Sequence, residues 1–204
     1  MLELSFAPTG WGCIYYFGII KALRQNLSSE YIKKNIKITC SSSGVFAGLG
    51  LLLNSYSVNE FIILYDTLLH KYSNHIIGRG NELVIDVLNS IIPQDVDLEL
   101  LNHKLYINYC TFENFKIKYH TVSYFNSREE LINYLLASCY IPFYSGKQHY
   151  INNEKVYDGF FYEQMPTFSK DTICFCPFPF EKSDKDKKIM RHCNFDFNPF
   201  FPIK

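Results

Sequence analysis

The 204-residue chain balances 20 Lys+Arg against 20 Asp+Glu, and 48% of its residues are hydrophobic. That length and apolar content suffice for one sizeable core, so a single α/β domain is expected. The formal net charge of zero and the lack of a basic patch argue against a nucleic-acid role and predict no long-range pull toward an anionic membrane.

In chain order, residues 2–7 read as a first strand and 8–12 as a turn. Residues 14–27 read as a helix with Ile14, Phe17, Ile20 and Leu23 on one face. A strand is expected over 36–40 and helices over 44–53, 58–71 and 81–91. Residues 103–110 and 115–125 alternate as two strands, antiparallel around a turn at 113–114. The pattern Ser127-Arg128-Glu129-Glu130 reads as a capping box opening a helix to about Ser138. Pro142 and Gly146 break the chain, and residues 172–175 form a last strand. The domain is expected to span 1–176. The remaining 177–204, a charged run at 182–188 followed by a Phe/Pro-rich stretch at 194–203, reads as a tail packed on the same domain.

No basic segment precedes an apolar stretch near the N-terminus, so no secretory signal is expected, and the apolar run 45–53 is too short to span a bilayer. Cys13, Cys40, Cys110, Cys139, Cys174, Cys176 and Cys193 are scattered and odd in number. They predict reduced, mostly buried thiols and an intracellular, cytoplasmic setting, with peripheral attachment to membranes or lipid droplets left open. Cys174 and Cys176 have the wrong spacing for a metal knuckle, and the six histidines do not pair with cysteines at zinc spacing. No metal or cofactor is predicted.

The strongest local signal is 36–53. A short β-type run stops at Cys40-Ser41-Ser42-Ser43-Gly44, and an apolar helical run starts at once. A strand turning sharply into a helix with a serine at its apex is a nucleophile elbow, usually G-x-S-x-G, and here only the second glycine is in place. The plainer reading is a serine N-cap. Ser41 and Ser43 are alternative nucleophiles, but Ser42 alone stands two residues before a glycine. Two other segments bear on the choice. Residues 4–18 read as strand, turn and helix, whose turn could aim backbone N–H groups at a developing oxyanion. Residues 137–146 are followed by Tyr157-Asp158-Gly159, which taken alone is a turn signal.

Taken together, Leu4-Ser5-Phe6-Ala7, Ala137-Ser138-Cys139-Tyr140-Ile141-Pro142-Phe143-Tyr144-Ser145-Gly146 and Tyr157-Asp158-Gly159 resemble the patatin-like phospholipase family, nearest its animal triglyceride-lipase branch. The resemblance covers residues 2–166. It implies a three-layer α/β/α sandwich with a mostly parallel sheet. It implies a Ser–Asp dyad of Ser42 and Asp158, in which the aspartate takes the serine proton directly. Burial beside apolar walls, with Tyr157, Phe160 and Phe161 as candidates, would raise the aspartate's basicity. The implied oxyanion donors are the backbone N–H groups of Thr9, Gly10, Trp11 and Ser43. The implied partner is a glycerolipid substrate at a membrane or droplet surface, without Ca²⁺.

The chain departs from the family pattern at the first loop. Residues 8–13 keep a pattern glycine only at Gly10, Gly12 is out of frame, and Pro8 has no N–H to donate. Cys40 replaces the elbow's first glycine, and after Asp158-Gly159 only Pro166 is kept. These departures leave a second reading, a catalytically weakened relative that acts as a lipid-binding or interaction module. A third is an unrelated Ser/His esterase. Among His70, His75, His103, His120, His149 and His192, only His192 follows Asp158 in the chain. Residues 71–79 read as a solvated, mildly basic helix end. Phe195, Phe197, Phe200 and Phe201 could insert at a lipid interface or pack back on the core.

Overall fold

A computed structural model describes residues 1–54, 56–178 and 188–190. Strand β1 (Leu2–Phe6) is followed by a 3-10 turn at Gly10–Cys13, helices α1 (Ile14–Asn26) and α2 (Ser29–Asn35), and strand β2 (Ile36–Cys40). Three helices follow, α3 (Gly44–Leu53), α4 (Val58–Tyr72) and α5 (Gly80–Ile91). The hairpin of β3 (Leu105–Glu113) and β4 (Lys116–Val122) leads into α6 (Arg128–Ser138). Strands β5 (Tyr150–Ile151), β6 (Glu154–Asp158), β7 (Ile173–Phe175) and β8 (Lys188–Met190) complete the chain's described elements.

The sheet runs β5-β6-β3-β2-β1-β7-β8, with β4 on the other edge of β3. β1, β2, the start of β3, β7 and β8 are parallel; β4 and β6 pair antiparallel with β3. Parallel neighbours need crossovers, and the helices supply them. Leu4, Ile38 and Leu105 stand in register on one sheet face, as do Phe6, Cys40 and Ile107. Apolar side chains from all six helices pack with them into the main core. On the opposite face, Lys37 pairs with Glu3 at 3.0 Å. That face is covered by a 3-10 turn at Gly159–Phe161 and the segment after it, where Phe168 meets Tyr106 edge-on at 4.8 Å. This is an α/β/α sandwich on a mostly parallel sheet. Among the described residues its second layer is thin.

Several local readings need correction. Ser127 accepts the Glu130 N–H at 3.1 Å, but the Glu130 carboxylate takes the Asn126 N–H at 2.7 Å, so the box is only half formed. A complete capping box stands instead at Ser57 and Glu60, at the start of α4. The β3–β4 turn lies at Asn114 and Phe115, both at positive φ (49° and 63°), because Glu113 pairs with Lys116. In α1, Tyr16, Phe17 and Ile20 are buried while Ile14 is exposed. Helix α2 and strand β5 carry too short a pattern to be read from sequence. The strand at 173–175 is not the last, because Lys188–Met190 pairs beside it. The basic stretch at 71–79 is engaged in ion pairs, Lys71 with Asp86 at 2.6 Å and Arg79 with Glu82 at 2.7 Å. The charged run at 182–187, His192, Cys193 and the Phe/Pro-rich stretch lie outside the described residues.

Candidate active site

Two strands meet end to end along one edge of β3. β2 stops with Cys40 opposite Ile107, and β6, running the other way, stops with Asp158 opposite Tyr109. One residue, Asn108, separates the two ends. The turn after β2 therefore rises beside Asp158, and Ser42 and Asp158 line the same cavity. Asn108 is 1% exposed. Its amide donates to Thr39 Oγ1 at 2.8 Å and to the Cys40 carbonyl at 2.9 Å, while its Oδ1 accepts from the Thr121 hydroxyl at 2.7 Å. Its own carbonyl accepts from Ser138 Oγ at 2.7 Å. Neither Asn108 nor Ser138 was singled out from sequence. The available signal was a polar residue interrupting the apolar alternation of β3.

Ser42 sits at φ 52°, a left-handed conformation that costs a non-glycine residue about 1–3 kcal/mol. Its N–H donates to the Ser138 carbonyl at 2.9 Å, which holds the turn in place. Gly44 follows because no other residue fits: a Cβ there would lie 2.3 Å from the Phe6 carbonyl oxygen. Gly159 is required on the other side, where a Cβ would lie 2.7 Å from the Asn108 carbonyl oxygen and 2.9 Å from Ser41 Cβ. The serines of the turn part company. Ser41 is fully buried and does not reach the cavity. Ser43 Oγ is engaged with the Thr9 N–H and hydroxyl, both at 3.0 Å. Ser42 alone presents its side chain to Asp158.

Asp158 is fully buried. Its Oδ1 accepts the Phe160 N–H at 2.9 Å, and its Oδ2 has no hydrogen-bond partner among the described residues. Burial pushes its pKa up to about 7, while the Ser42 hydroxyl and the Phe160 N–H pull in the opposite direction. The hydroxyl is near enough to favour the charged carboxylate but falls short of hydrogen-bond geometry. Of the aromatic walls expected around Asp158, Phe160 lines the cavity. Tyr157 does not, since strand alternation turns it to the other face, where it packs on Phe112 at 4.7 Å. Phe161 is 41% exposed.

The turn over 8–13 lies against the Ser42 turn through Thr9 and Ser43. Because the Thr9 N–H is committed to Ser43 Oγ, the main-chain donors left at this corner are Gly10, Trp11 and Ser43. No acceptor among the described residues meets their N–H groups. Gly10 takes φ 53°, which glycine adopts without strain. The cavity measures about 290 Å³ and is lined mostly by apolar groups, among them Phe17 of α1, Phe46 of α3, Phe61 and Leu64 of α4 and Val84 of α5. Among the described residues, no cluster of His, Cys, Asp or Glu has the arrangement of a metal site, and no helix is long and apolar enough to cross a membrane. Cys13, Cys40, Cys110 and Cys139 are free thiols, and burial raises the pKa of each.

No protein-family profile matches the chain. It is 28% identical over 189 residues to human patatin-like phospholipase domain-containing protein 4, covering 87% of this chain and 72% of that protein. Over most of its length the chain is thus similar to a patatin-like phospholipase domain-containing protein. VipD from Legionella pneumophila shares the fold, with a TM-score of 0.54 at 12% identity over 85% of this chain. The chain spans about half of VipD, 49% of its length. Against the patatin-like pattern, Pro8 and Cys13 stand where glycine is favoured, whereas Thr9 and Trp11 fall at variable positions and make specific contacts, Thr9 with Ser43 and Trp11 with Tyr144.

Proposed function

We propose that this patatin-like protein is a lipid acyl hydrolase, cleaving carboxylic esters of glycerolipids with a Ser42–Asp158 dyad. The observation that carries the reading is the pairing of a strained, cavity-facing serine with a buried carboxyl whose second oxygen is uncommitted. Asp158 Oδ2 takes the hydroxyl proton as Ser42 Oγ attacks the acyl carbonyl. Burial gives Asp158 the basicity to accept it near neutral pH. The tetrahedral oxyanion is held by the N–H groups of Gly10, Trp11 and Ser43. Thr9 enters as the residue that ties this turn to Ser43 rather than as a donor. The proton then passes from Asp158 to the departing alcohol. Water, deprotonated by Asp158, attacks the acyl-enzyme and releases the fatty acid and free Ser42. Catalytic hydrogen bonds often tighten only with substrate in place, which fits the looseness between Ser42 and Asp158. The apolar cavity receives the acyl chain, and the glycerol portion stays at the lipid surface.

The committed Thr9 N–H favours one alternative, a weakened relative that binds lipid without turning it over. Release of fatty acid from a panel of phospholipids and glycerides, compared among wild type, Ser42→Ala and Asp158→Asn, separates the two. Activity lost in both variants is expected, together with labelling of Ser42 by a fluorophosphonate. A folded wild type that neither hydrolyses any member of the panel nor takes the label overturns the hydrolase reading in favour of the binding one.

A further inference from the structure

Helix α6 ends at Ser138, and the turn there holds both Ser42 and Asp158 by their main chains. The Ser42 N–H is shared between two oxygens of one residue, the Ser138 carbonyl at 2.9 Å and the Ser138 hydroxyl at 3.1 Å. Two residues on, the Tyr140 carbonyl accepts the Asp158 N–H at 2.8 Å. The turn is stiffened by short-range bonds, Cys139 N–H to the Leu136 carbonyl at 3.2 Å and Tyr140 N–H to the Ala137 carbonyl at 3.3 Å. The Ser138 hydroxyl also donates to the Asn108 carbonyl at 2.7 Å. A hydroxyl has one proton to give and two lone pairs to accept with, so it serves both bonds at once. Asn108 in turn donates from its amide to the Cys40 carbonyl at 2.9 Å. The bonds thus close a circuit around the strained turn, from Ser42 to Ser138, to Asn108 and back to Cys40. Ser138 is fully buried, and neither it nor Asn108 lines the cavity.

We propose that Ser138 is a positioning residue for the reaction: its hydroxyl holds Ser42 where Asp158 can take its proton, and its loss slows the chemical step while leaving lipid binding intact. This rests on the acyl-hydrolase reading above. A left-handed serine persists only where its surroundings over-determine it, and the circuit through Ser138 supplies that constraint. Without the hydroxyl, the Ser42 N–H keeps only the Ser138 carbonyl, the Asn108 carbonyl loses this donor, and the turn is free to relax. A displacement of about 1 Å is enough to cost ~100-fold in rate. Asp158 keeps its own supports, the Tyr140 carbonyl and the pairing of β6 with β3. The loss therefore falls on the nucleophile and spares the base, so the rate drops while its pH dependence stays in place. The substrate touches the cavity lining and not Ser138, so affinity is spared as well.

Fluorophosphonate labelling of Ser42 reads the nucleophile without any demand on lipid chemistry. Ser138→Ala should label about 10- to 100-fold more slowly than wild type and lose kcat for glycerolipid esters in the same proportion. KM should hold, as should fatty-acid affinity followed by the emission of Trp11, the chain's single tryptophan and a lining residue of the cavity. The inflection of kcat/KM near pH 7, set by Asp158, should stay where wild type has it. Ser138→Cys keeps a side chain of similar size with a weaker donor and acceptor; it should fall between the two and serves if the alanine variant fails to fold. A merely structural hydroxyl would lower the unfolding midpoint and leave the rates of folded protein unchanged. Equal labelling and kcat in a folded variant, or a loss confined to KM, therefore overturns the proposal. A wild type that takes the label but hydrolyses no glycerolipid ester, with slower labelling in Ser138→Ala, upholds Ser138 as the positioning residue and overturns the glycerolipid substrate instead. A wild type that does neither overturns both.

Discussion

β1 and β2 lie side by side, Phe6 opposite Cys40, and each feeds a helix through a tight turn. The β2 turn is compressed. Ser42 takes a left-handed conformation and α3 begins at once, with Gly44 pressed against the Phe6 carbonyl. The β1 turn is looser in the chain, with a 3-10 turn inserted before α1, and is tied down by side chains: Thr9 to Ser43, Trp11 to Tyr144. Neighbouring strands thus reach the same corner by different means, one by removing side chains and the other by adding them. A turn built on missing side chains tolerates few substitutions. A turn built on side-chain contacts loses function by degrees as those contacts are removed.

The largest expected effect tests the compressed turn. Ser42→Ala should lower ester hydrolysis by about 10⁴-fold or more, while fatty-acid binding followed by Trp11 emission persists. If hydrolysis survives in Ser42→Ala, the chemistry lies elsewhere and the comparison between the turns loses its functional meaning.

The carboxyl that the compressed turn faces should respond to pH in a defined direction. The folded protein raises the Asp158 pKa to about 7, whereas the unfolded chain titrates near ~4. Between these values the fold binds more protons than the unfolded chain, so stability falls as pH rises. Asp158→Asn removes the buried charge and should be more stable than wild type above pH ~7, by up to about 4 kcal/mol. The gap should close below pH ~4. The kcat/KM of wild type, which needs the carboxylate, should fall as pH drops through ~7. Urea titrations and rate profiles across this range check both, and a stability gap that does not vary with pH would count against a buried, titrating Asp158.

Gly44→Ala should cost about 2–3 kcal/mol in urea unfolding, since the added methyl meets main chain that cannot move aside. In contrast, Gly18 has open space where its Cβ would be, and Gly18→Ala in α1 should be neutral or slightly stabilising. The smallest effect concerns the looser turn. Thr9→Val removes the hydroxyl contact to Ser43 but keeps the main-chain donor, and should cost about 1 kcal/mol with a modest loss of kcat. A loss as large as that of Ser42→Ala would mean that the β1 turn is no more tolerant than the β2 turn.

The sequence by itself determined most of the elements. Residues 36–53 read as a strand running into an apolar helix, whereas Ser42 and Asp158 were singled out only by the resemblance of three separated segments to the patatin-like family, since taken alone the first could be an N-cap and the second a turn. Such patterns are local, set by side-chain periodicity and by the few residues that tolerate tight turns. Only the tertiary structure decided how β2 and β6 abut on β3, which places Asn108 between Ser42 and Asp158 with its amide satisfied on both sides. It also decided that Ser43 takes the Thr9 N–H and that Trp11 lines the cavity. Those outcomes depend on long-range register and on which buried polar groups find partners. Neither leaves a periodic trace in the chain, so they become visible only once distant segments are packed together.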